Sequence, residues 1–185
     1  MAIALALVML FSFAACAQSN PNGGNGENGG NETPNNAQIN AVDISKYPAD
    51  INEWSGQNFI DYFKEAGVFV DEGDKETWLQ DHAMYWPGTP VNECAGFWDD
   101  AGSIFVMLFI LKEDLADSTP EAYADMLNGI KENKKIDLEM QAMPIDHLIG
   151  NVAFCSSLTT DEDTYNAMEA AYNQLVSDLG VTPEF

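Results

Sequence analysis

The stretch S-I-F-V-M-L-F-I-L at residues 103–111 decides the fold. Apolar side chains on both faces of such a run are typical of a strand in the middle of a sheet, and the run is too short to cross a bilayer as a helix. The preceding residues 99–102 (D-D-A-G) place a glycine where a hairpin loop favours one. The sequence therefore predicts a β-hairpin formed by residues 91–98 and 103–112.

A second pair of strands is predicted further along the chain. Residues 136–143 alternate between apolar and polar side chains, which is typical of a strand with one buried face. The turn-forming residues 144–147 (P-I-D-H) come next, and residues 148–157 are again rich in apolar side chains. Both segments are expected to join the same sheet as the first hairpin.

Three helices are predicted from capping residues that precede apolar side chains at helical spacing. They begin at Ser55, at residues 118–121 (S-T-P-E) and at Thr160. A weaker helix is predicted over residues 75–83, where it would bury Trp78 and Leu79. Strands and helices in this order predict an α+β fold: a two-layer sandwich with a four-stranded, mainly antiparallel sheet and about three helices.

The first residues of the chain have the features of an export signal. Residues 2–15 are uncharged and almost entirely apolar, in a run that suits a signal peptide and is short for a membrane span. The run ends in F-A-A followed by Cys16, which resembles the lipobox of bacterial lipoproteins. The resemblance implies that residues 1–15 are removed and that Cys16 is diacylated, so that it anchors the protein in a membrane. The alternative is an ordinary cleaved signal peptide followed by an incidental cysteine.

Residues 16–40 are expected to form a flexible tether that begins at this cysteine. Residues 17–38 have no aromatic or large aliphatic side chain, so they cannot bury enough apolar surface to offset the entropy of ordering. A Gly-rich coil of about 24 residues spans about 25–30 Å on average. Residues 41–185 would then form a single acidic domain. This organisation predicts an exported protein, lipid-anchored to the outer face of a bacterial membrane.

The charge balance excludes several classes of partner. The chain has 30 acidic residues against 7 basic ones, and its formal net charge is -23. A nucleic-acid backbone requires a basic patch, so nucleic acid is not expected as a partner. Binding by charge to anionic lipid is disfavoured for the same reason.

Two further cysteines, Cys94 and Cys155, lie in the predicted domain. In an exported protein the two can form a disulfide bond. Buried free thiols are equally compatible with the sequence, because cysteine is among the most buried residue types. The sequence leaves both alternatives open.

Two histidines each follow an aspartate, in the pairs Asp81-His82 and Asp146-His147. A small cell-envelope hydrolase using His82 or His147 is therefore one reading of the sequence, because a carboxylate can orient a catalytic histidine. The Gly-x-Ser-x-Gly nucleophile signal is missing, and the cysteines, histidines and acidic clusters match neither a zinc site nor a calcium loop. We therefore predict no catalytic residue, no metal and no cofactor, and keep the hydrolase as the alternative.

Aromatic residues are concentrated in one part of the predicted domain. Trp78, Tyr85, Trp86 and Trp98 flank an irregular segment broken by residues 87–90 (P-G-T-P). Loops that carry such side chains beside Asp and Asn are typical of surfaces that bind a sugar ring or a protein. We therefore predict a non-enzymatic domain that binds or scaffolds a glycan or protein partner through these four residues. The alternative is that the rings close the core beneath a long loop. The sequence does not indicate an oligomeric state.

Overall fold

The computed structural model of the protein describes residues 38–68, 75–99, 104–138, 141–156 and 162–185. Its strands are β1 (Lys75–Asp81), β2 (Val91–Asp99), β3 (Ile104–Leu111), β4 (Lys135–Leu138), β5 (Gln141–Pro144), β6 (His147–Ile149) and β7 (Val152–Cys155). Its helices are α1 (Gly56–Glu65), the single turn α2 (His82–Tyr85), α3 (Pro120–Asn133) and α4 (Glu162–Leu179), with 3₁₀ turns at Ile44–Lys46 and Ile51–Glu53. Cys16, the predicted signal peptide, the tether up to residue 37 and Thr160 lie outside the described residues.

The strand β3 lies at the centre of a five-stranded antiparallel sheet whose strand order is β1-β2-β3-β7-β6. Leu108 of β3 pairs with Ala95 of β2 on one side and with Phe154 of β7 on the other. β4 and β5 form a separate antiparallel pair. The predicted central strand and the predicted hairpin are therefore confirmed as β3 and as the β2–β3 pair.

One face of the sheet packs against α1 and α4. The Phe154 ring reaches both helices, because it lies 5.6 Å from the ring of Phe59 in α1 and 5.3 Å from the ring of Tyr172 in α4. The same cluster contains the buried residues Phe63, Ala95, Leu108, Ile110, Met168 and Leu175. Sheet and helices form an α+β sandwich with an antiparallel sheet, as the sequence predicts.

The opposite face of the sheet has an apolar cluster of its own. There Phe109 of β3 and Cys94 of β2 belong to one buried cluster with Ile130 of α3 and Ile136 of β4. Leu108 and Phe109 are adjacent in the chain and both fully buried, one in each cluster. β3 is thus buried on both faces, which explains why its apolar side chains do not alternate with polar ones.

The predicted helix starts are confirmed where the structure describes them. Ser55 caps α1, because its hydroxyl accepts a hydrogen bond from the Asn58 N–H while the Asn58 side chain accepts one from the Ser55 N–H. Thr119 caps α3 because its hydroxyl accepts a hydrogen bond from the Ala122 N–H, and Pro120 occupies the first position of that helix. No helix within the described ranges is long and apolar enough to cross a membrane.

The weaker helix predicted over residues 75–83 is wrong. This segment forms β1 and the beginning of α2, and β1 pairs with β2 along its whole length. Trp78 packs against the cluster that contains Phe109, whereas Leu79 lies beside Gly56 at the start of α1, on the opposite face. Adjacent side chains on opposite faces are the signature of a strand, and this strand raises the number in the sheet from four to five.

The strands after α3 also differ from the prediction. Residues predicted as one strand over 136–143 form the separate pair β4–β5, which packs beside α3. Residues predicted as a strand over 148–157 form β7 and part of β6, joined by a tight turn at Gly150. Gly150 has a φ of +55°, a left-handed conformation that favours glycine, so the chain reverses there.

Candidate functional site

The single turn α2 presents two large apolar side chains to solvent. It follows β1 without a break, and Asp81 caps it by accepting a hydrogen bond of 2.9 Å from the Met84 N–H. The side chains of Met84 and Tyr85 are 73% and 51% exposed. We refer to these two residues as the α2 surface. Together with Leu79 of β1, they are the large apolar side chains that are exposed on the described surface.

A histidine fixes the segment that follows the α2 surface. Nδ1 of His82 lies 2.7 Å from the carbonyl oxygen of Val91, and Nε2 of His82 contacts a carboxylate oxygen of Asp117. The second carboxylate oxygen of Asp117 accepts a hydrogen bond of 2.8 Å from the Gly88 N–H. Residues 82–91 are therefore tied both to the start of β2 and to the loop between β3 and α3.

The contacts of His82 favour its charged form. Burial lowers the pKa of His82, but the hydrogen bond to the Val91 carbonyl and the hydrogen bond and charge of Asp117 outweigh it and raise the pKa above 6.5. The hydrogen bonds from His82 and from the Gly88 N–H lower the pKa of Asp117. Because both ring nitrogens of His82 face oxygen acceptors, the imidazolium is the form that satisfies both.

Replacing Asp117 by asparagine is expected to destabilise the protein more in mildly acidic than in alkaline solution. The raised pKa means that the stabilisation from His82 is complete below pH 6.5 and is lost as the pH rises through the folded-state pKa. Above that value the neutral ring has only one N–H, so one of the two oxygen acceptors, the Val91 carbonyl or the Asp117 carboxylate, faces a nitrogen lone pair. The urea midpoints of the wild type and of Asp117→Asn should therefore differ more at about pH 5.5 than at about pH 9.

The matched control for this experiment is Asp114→Asn. Asp114 lies in the same loop, is 78% exposed, and has a carboxylate oxygen 3.5 Å from Nζ of Lys112 rather than from a histidine. The urea midpoint of this variant should follow that of the wild type at both pH values. An Asp117→Asn difference that is constant with pH would mean that His82 is not the titrating partner.

The aromatic residues predicted to bind a ligand divide into different environments. Trp78 and Trp86 are half-buried and pack against the cluster that contains Phe109, with the rings of Trp86 and Phe109 6.1 Å apart. Tyr85 is exposed, and the side chain of Trp98 lies outside the described residues. Trp78 and Trp86 therefore fit the alternative in which the aromatic rings close the core, whereas Tyr85 is accessible to solvent. Sequence analysis missed Met84, because a single methionine shortly after a capping aspartate does not form a motif that would indicate exposure or binding.

The two domain cysteines are buried thiols that are not joined in a disulfide bond. Cys94 lies in β2 and Cys155 in β7, on either side of β3. Strands two positions apart are separated by roughly 10 Å, which exceeds the limit of about 7 Å between the Cα atoms of a disulfide. Burial, and then the nearby Cys155, raise the pKa of the Cys94 thiol. Of the two alternatives left by the sequence, the structure contains the buried thiols and not the disulfide.

A second polar cluster surrounds His147 beside the middle of α4. Nε2 of His147 is 2.9 Å from a carboxylate oxygen of Glu169, and the His147 ring stacks on Tyr172 at 3.9 Å between centroids. The Ser156 hydroxyl donates a hydrogen bond of 2.9 Å to Glu169, and the Ser156 N–H donates one of 2.8 Å to Asp146. These contacts join α4 to β7 and to the turn before β6.

The cluster around His147 does not have the arrangement of a hydrolytic triad. In a triad the serine hydroxyl gives its proton to the histidine, and the carboxylate lies behind the histidine. Here Glu169 lies between the two, and Ser156 is only 3% exposed. Sequence analysis found His147 but missed Ser156 and Glu169. Across the described ranges, no three His, Cys, Asp or Glu side chains are grouped to hold a metal ion.

No protein-family model, curated protein or solved structure matches the chain. The fold and the site together define an acidic α+β domain. Its turn α2 is held by hydrogen bonds and exposes two large apolar side chains. Function is therefore inferred from the chemistry of this turn and from the sequence.

Proposed function

We propose that the chain is a bacterial surface lipoprotein whose domain binds or scaffolds an extracellular partner, a glycan or a protein, without catalysing a reaction. The α2 surface is the contact region. The single observation that carries the proposal is the exposure of Met84 and Tyr85 on a turn whose ends are fixed by hydrogen bonds. Exposed apolar area of this kind is stabilised when a partner covers it.

The contacts of His82 with Val91 and Asp117 support a binding role for this turn. A contact residue on a mobile loop must be ordered when the partner arrives, and that ordering reduces affinity. Here the loop is already held at Val91 and Asp117, so the backbone that carries Tyr85 is ordered before a partner arrives. Tyrosine supplies a large contact with few rotatable bonds and a hydroxyl for hydrogen bonding, which suits a sugar ring or a peptide.

The leader and the charge of the chain support the location. A diacylated Cys16 would hold the protein at the membrane, and the polar residues behind it would let the domain move away from the lipid. A net charge of -23 repels an anionic membrane surface, so the domain would face outward toward its partner.

The alternative hydrolase is less well supported. Both ring nitrogens of His82 contact oxygen atoms, one of the Val91 carbonyl and one of the Asp117 carboxylate. This histidine therefore cannot accept a proton from a nucleophile without losing one of these two contacts. His147 contacts Glu169, and Ser156 directs its proton to the same carboxylate. We therefore keep binding as the function and use activity only as a contrary outcome.

The test is a thermal-shift screen of the full chain in non-ionic detergent against glycans, peptidoglycan fragments and peptides. A ligand that binds only the folded form raises its melting temperature, by about 5–10 °C at a concentration of about 100 Kd. We expect at least one such ligand for the wild type, and we expect its shift to disappear in the double variant Met84→Ser/Tyr85→Ser.

The control is the double variant Ala124→Ser/Asn128→Ser, which changes two exposed residues of α3. It should retain the full ligand-induced shift. A shift that survives Met84→Ser/Tyr85→Ser would place binding elsewhere, and turnover of a screened compound that is lost in His147→Gln would establish the hydrolase instead.

A further inference from the structure

One side chain, His82, joins the turn α2 to two other parts of the domain. Its Nδ1 atom lies 2.7 Å from the carbonyl oxygen of Val91 in β2, and its Nε2 atom contacts the Asp117 carboxylate in the loop before α3. The imidazolium can donate to both oxygens, whereas a neutral ring has one N–H and can donate to only one of them. The loss of a proton from His82 therefore removes one of these two hydrogen bonds.

The two acceptors differ in how well water can replace the histidine. Val91 is fully buried, and its position is fixed because it pairs with Leu111 of β3. The Asp117 side chain is 46% exposed, so its carboxylate can turn into solvent and be hydrated there. A neutral His82 is therefore expected to keep its hydrogen bond to the Val91 carbonyl and to release Asp117.

Asp117 also holds the segment that follows α2. Its second carboxylate oxygen accepts a hydrogen bond of 2.8 Å from the Gly88 N–H. Met84 and Tyr85, which form the α2 surface, lie in the chain between His82 and Gly88. A carboxylate that turns away from the neutral ring would leave the Gly88 N–H to solvent as well. The segment that carries the α2 surface would then lose both of its contacts with the loop before α3.

The other hydrogen bonds of this segment do not involve the histidine ring. The Trp86 N–H donates a hydrogen bond of 2.9 Å to the His82 carbonyl, and the Thr89 hydroxyl donates one of 2.8 Å to the Trp86 carbonyl. The Lys112 N–H donates one of 2.9 Å to the Pro90 carbonyl, which holds the end of the segment. These bonds remain when the ring loses its proton. The expected consequence is a local gain in mobility rather than unfolding of the domain.

The charged groups that act on His82 are carboxylates from two neighbouring elements. Burial opposes the protonated ring, whereas its hydrogen bonds and the charges of Asp117 and Asp81 favour it, so the pKa of His82 is raised. Opposite Asp81, in β2, the Glu93 carboxylate contacts the Gly56 N–H at the start of α1. The other charged residues of the loop before α3 are Lys112, Glu113 and Asp114.

We propose that His82 is a pH-sensitive switch, which orders the α2 surface while the ring carries its proton and lets that surface become mobile when the proton is lost. The ordered arrangement is complete in mildly acidic solution and is lost as the pH rises through the folded-state pKa. As a control of binding, the switch rests on the proposed function. A partner that recognises the ordered turn would bind more tightly to the protonated form, because a mobile contact residue must be ordered on binding.

The switch is tested by NMR of the full chain in non-ionic detergent, with no ligand added. The chain has two histidines, so the His147→Gln variant assigns the ring signals of His82. Relaxation of the Cα–H groups of Met84, Tyr85 and Gly88, which do not exchange with water, gives their order parameters from about pH 5.5 to about pH 9. We expect values near about 0.85 at the acidic end and below about 0.6 at the alkaline end. The midpoint of this fall should coincide with the titration of the His82 ring.

Two variants connect the motion to the ring. His82→Gln cannot gain a charge, so the order parameters of Met84 and Tyr85 should no longer change with pH. Asp117→Asn removes a charge that favours the protonated ring, so the midpoint should move to lower pH. His147→Gln is the matched control, because it removes the other histidine and should leave the pH profile of the α2 surface unchanged.

The contrary results are distinct from one another. Order parameters of the α2 surface that stay constant while His82 titrates would overturn the switch, and so would a pH profile that persists in His82→Gln. An equal fall at Ile110 in β3 would mean global unfolding in place of a local switch. The proposed function fails separately, because the relaxation experiment needs no ligand. A thermal-shift screen without any ligand would reject binding and leave the switch, whereas a ligand that requires Met84 and Tyr85, with no change in relaxation, would do the reverse.

Discussion

Replacing Leu108 by alanine is expected to lower the free energy of unfolding by about 2–5 kcal/mol. Leu108 lies in the central strand β3, is fully buried and pairs with Ala95 on one side and Phe154 on the other. Alanine removes apolar contacts to both neighbouring strands and leaves a cavity under α1 and α4. The sheet and the helices pack against this site, so the surrounding side chains cannot move in to fill the cavity. The loss is expected near the upper end of that range for this reason.

Urea unfolding followed by circular dichroism measures this loss. Met84→Ala is the matched control, because it also truncates a large apolar side chain to a methyl group, but at a position that is 73% exposed. That variant should change the free energy of unfolding by less than about 0.5 kcal/mol. A loss below about 1 kcal/mol for Leu108→Ala would mean that β3 is not central to the core.

The elements that the sequence predicted correctly are those whose signal is local. The apolar run of residues 103–111 predicts a strand with apolar side chains on both faces, and Leu108 and Phe109 are indeed buried in opposite clusters. Ser55 and Pro120 identify helix starts because a cap acts within a few residues of itself. In each case the residues that determine the structure lie next to each other in the chain.

The errors arise where a distant partner decides the structure. Residues 75–81 have an apolar pair, Trp78-Leu79, that fits a helix as well as a strand, and the backbone of β2 selects the strand. The alternating residues 136–143 were predicted as one strand of the main sheet, but β4 and β5 pair with each other beside α3. Alternating apolar and polar residues indicate that one face of a strand is buried, but they do not indicate which element covers that face.

The candidate site was only partly predictable for the same reason. Tyr85 was named because aromatic residues are frequent in that segment; the structure shows that its side chain is exposed, and its role in recognition stays a prediction. Asp117, which holds the loop, lies 35 residues from His82, and Glu169 lies 22 residues from His147. Neither spacing resembles a motif, because the fold and not the sequence brings these carboxylates to the histidines.

Replacing Cys16 by alanine is expected to release the protein from membranes. Each acyl CH₂ buried in lipid contributes about 0.8 kcal/mol; one myristoyl chain gives only marginal, reversible binding, and a second makes the anchor stable. Without the thiol neither chain can be attached, and the acidic domain has no attraction to an anionic surface that would replace them. Fractionation of cells should therefore move the protein from the membrane pellet to the soluble fraction.

Incorporation of a labelled fatty acid gives a second readout, which does not depend on whether the apolar leader remains attached. The wild type should carry the label, and Cys16→Ala should carry none. Cys94→Ala is the matched control, because it also removes one thiol, but a buried one whose pKa is raised by burial and which is therefore a poor nucleophile. It should keep both the label and the membrane association. Label that persists in Cys16→Ala, or a mature N-terminus at any other residue, would remove the anchor and leave only the binding domain of the proposal.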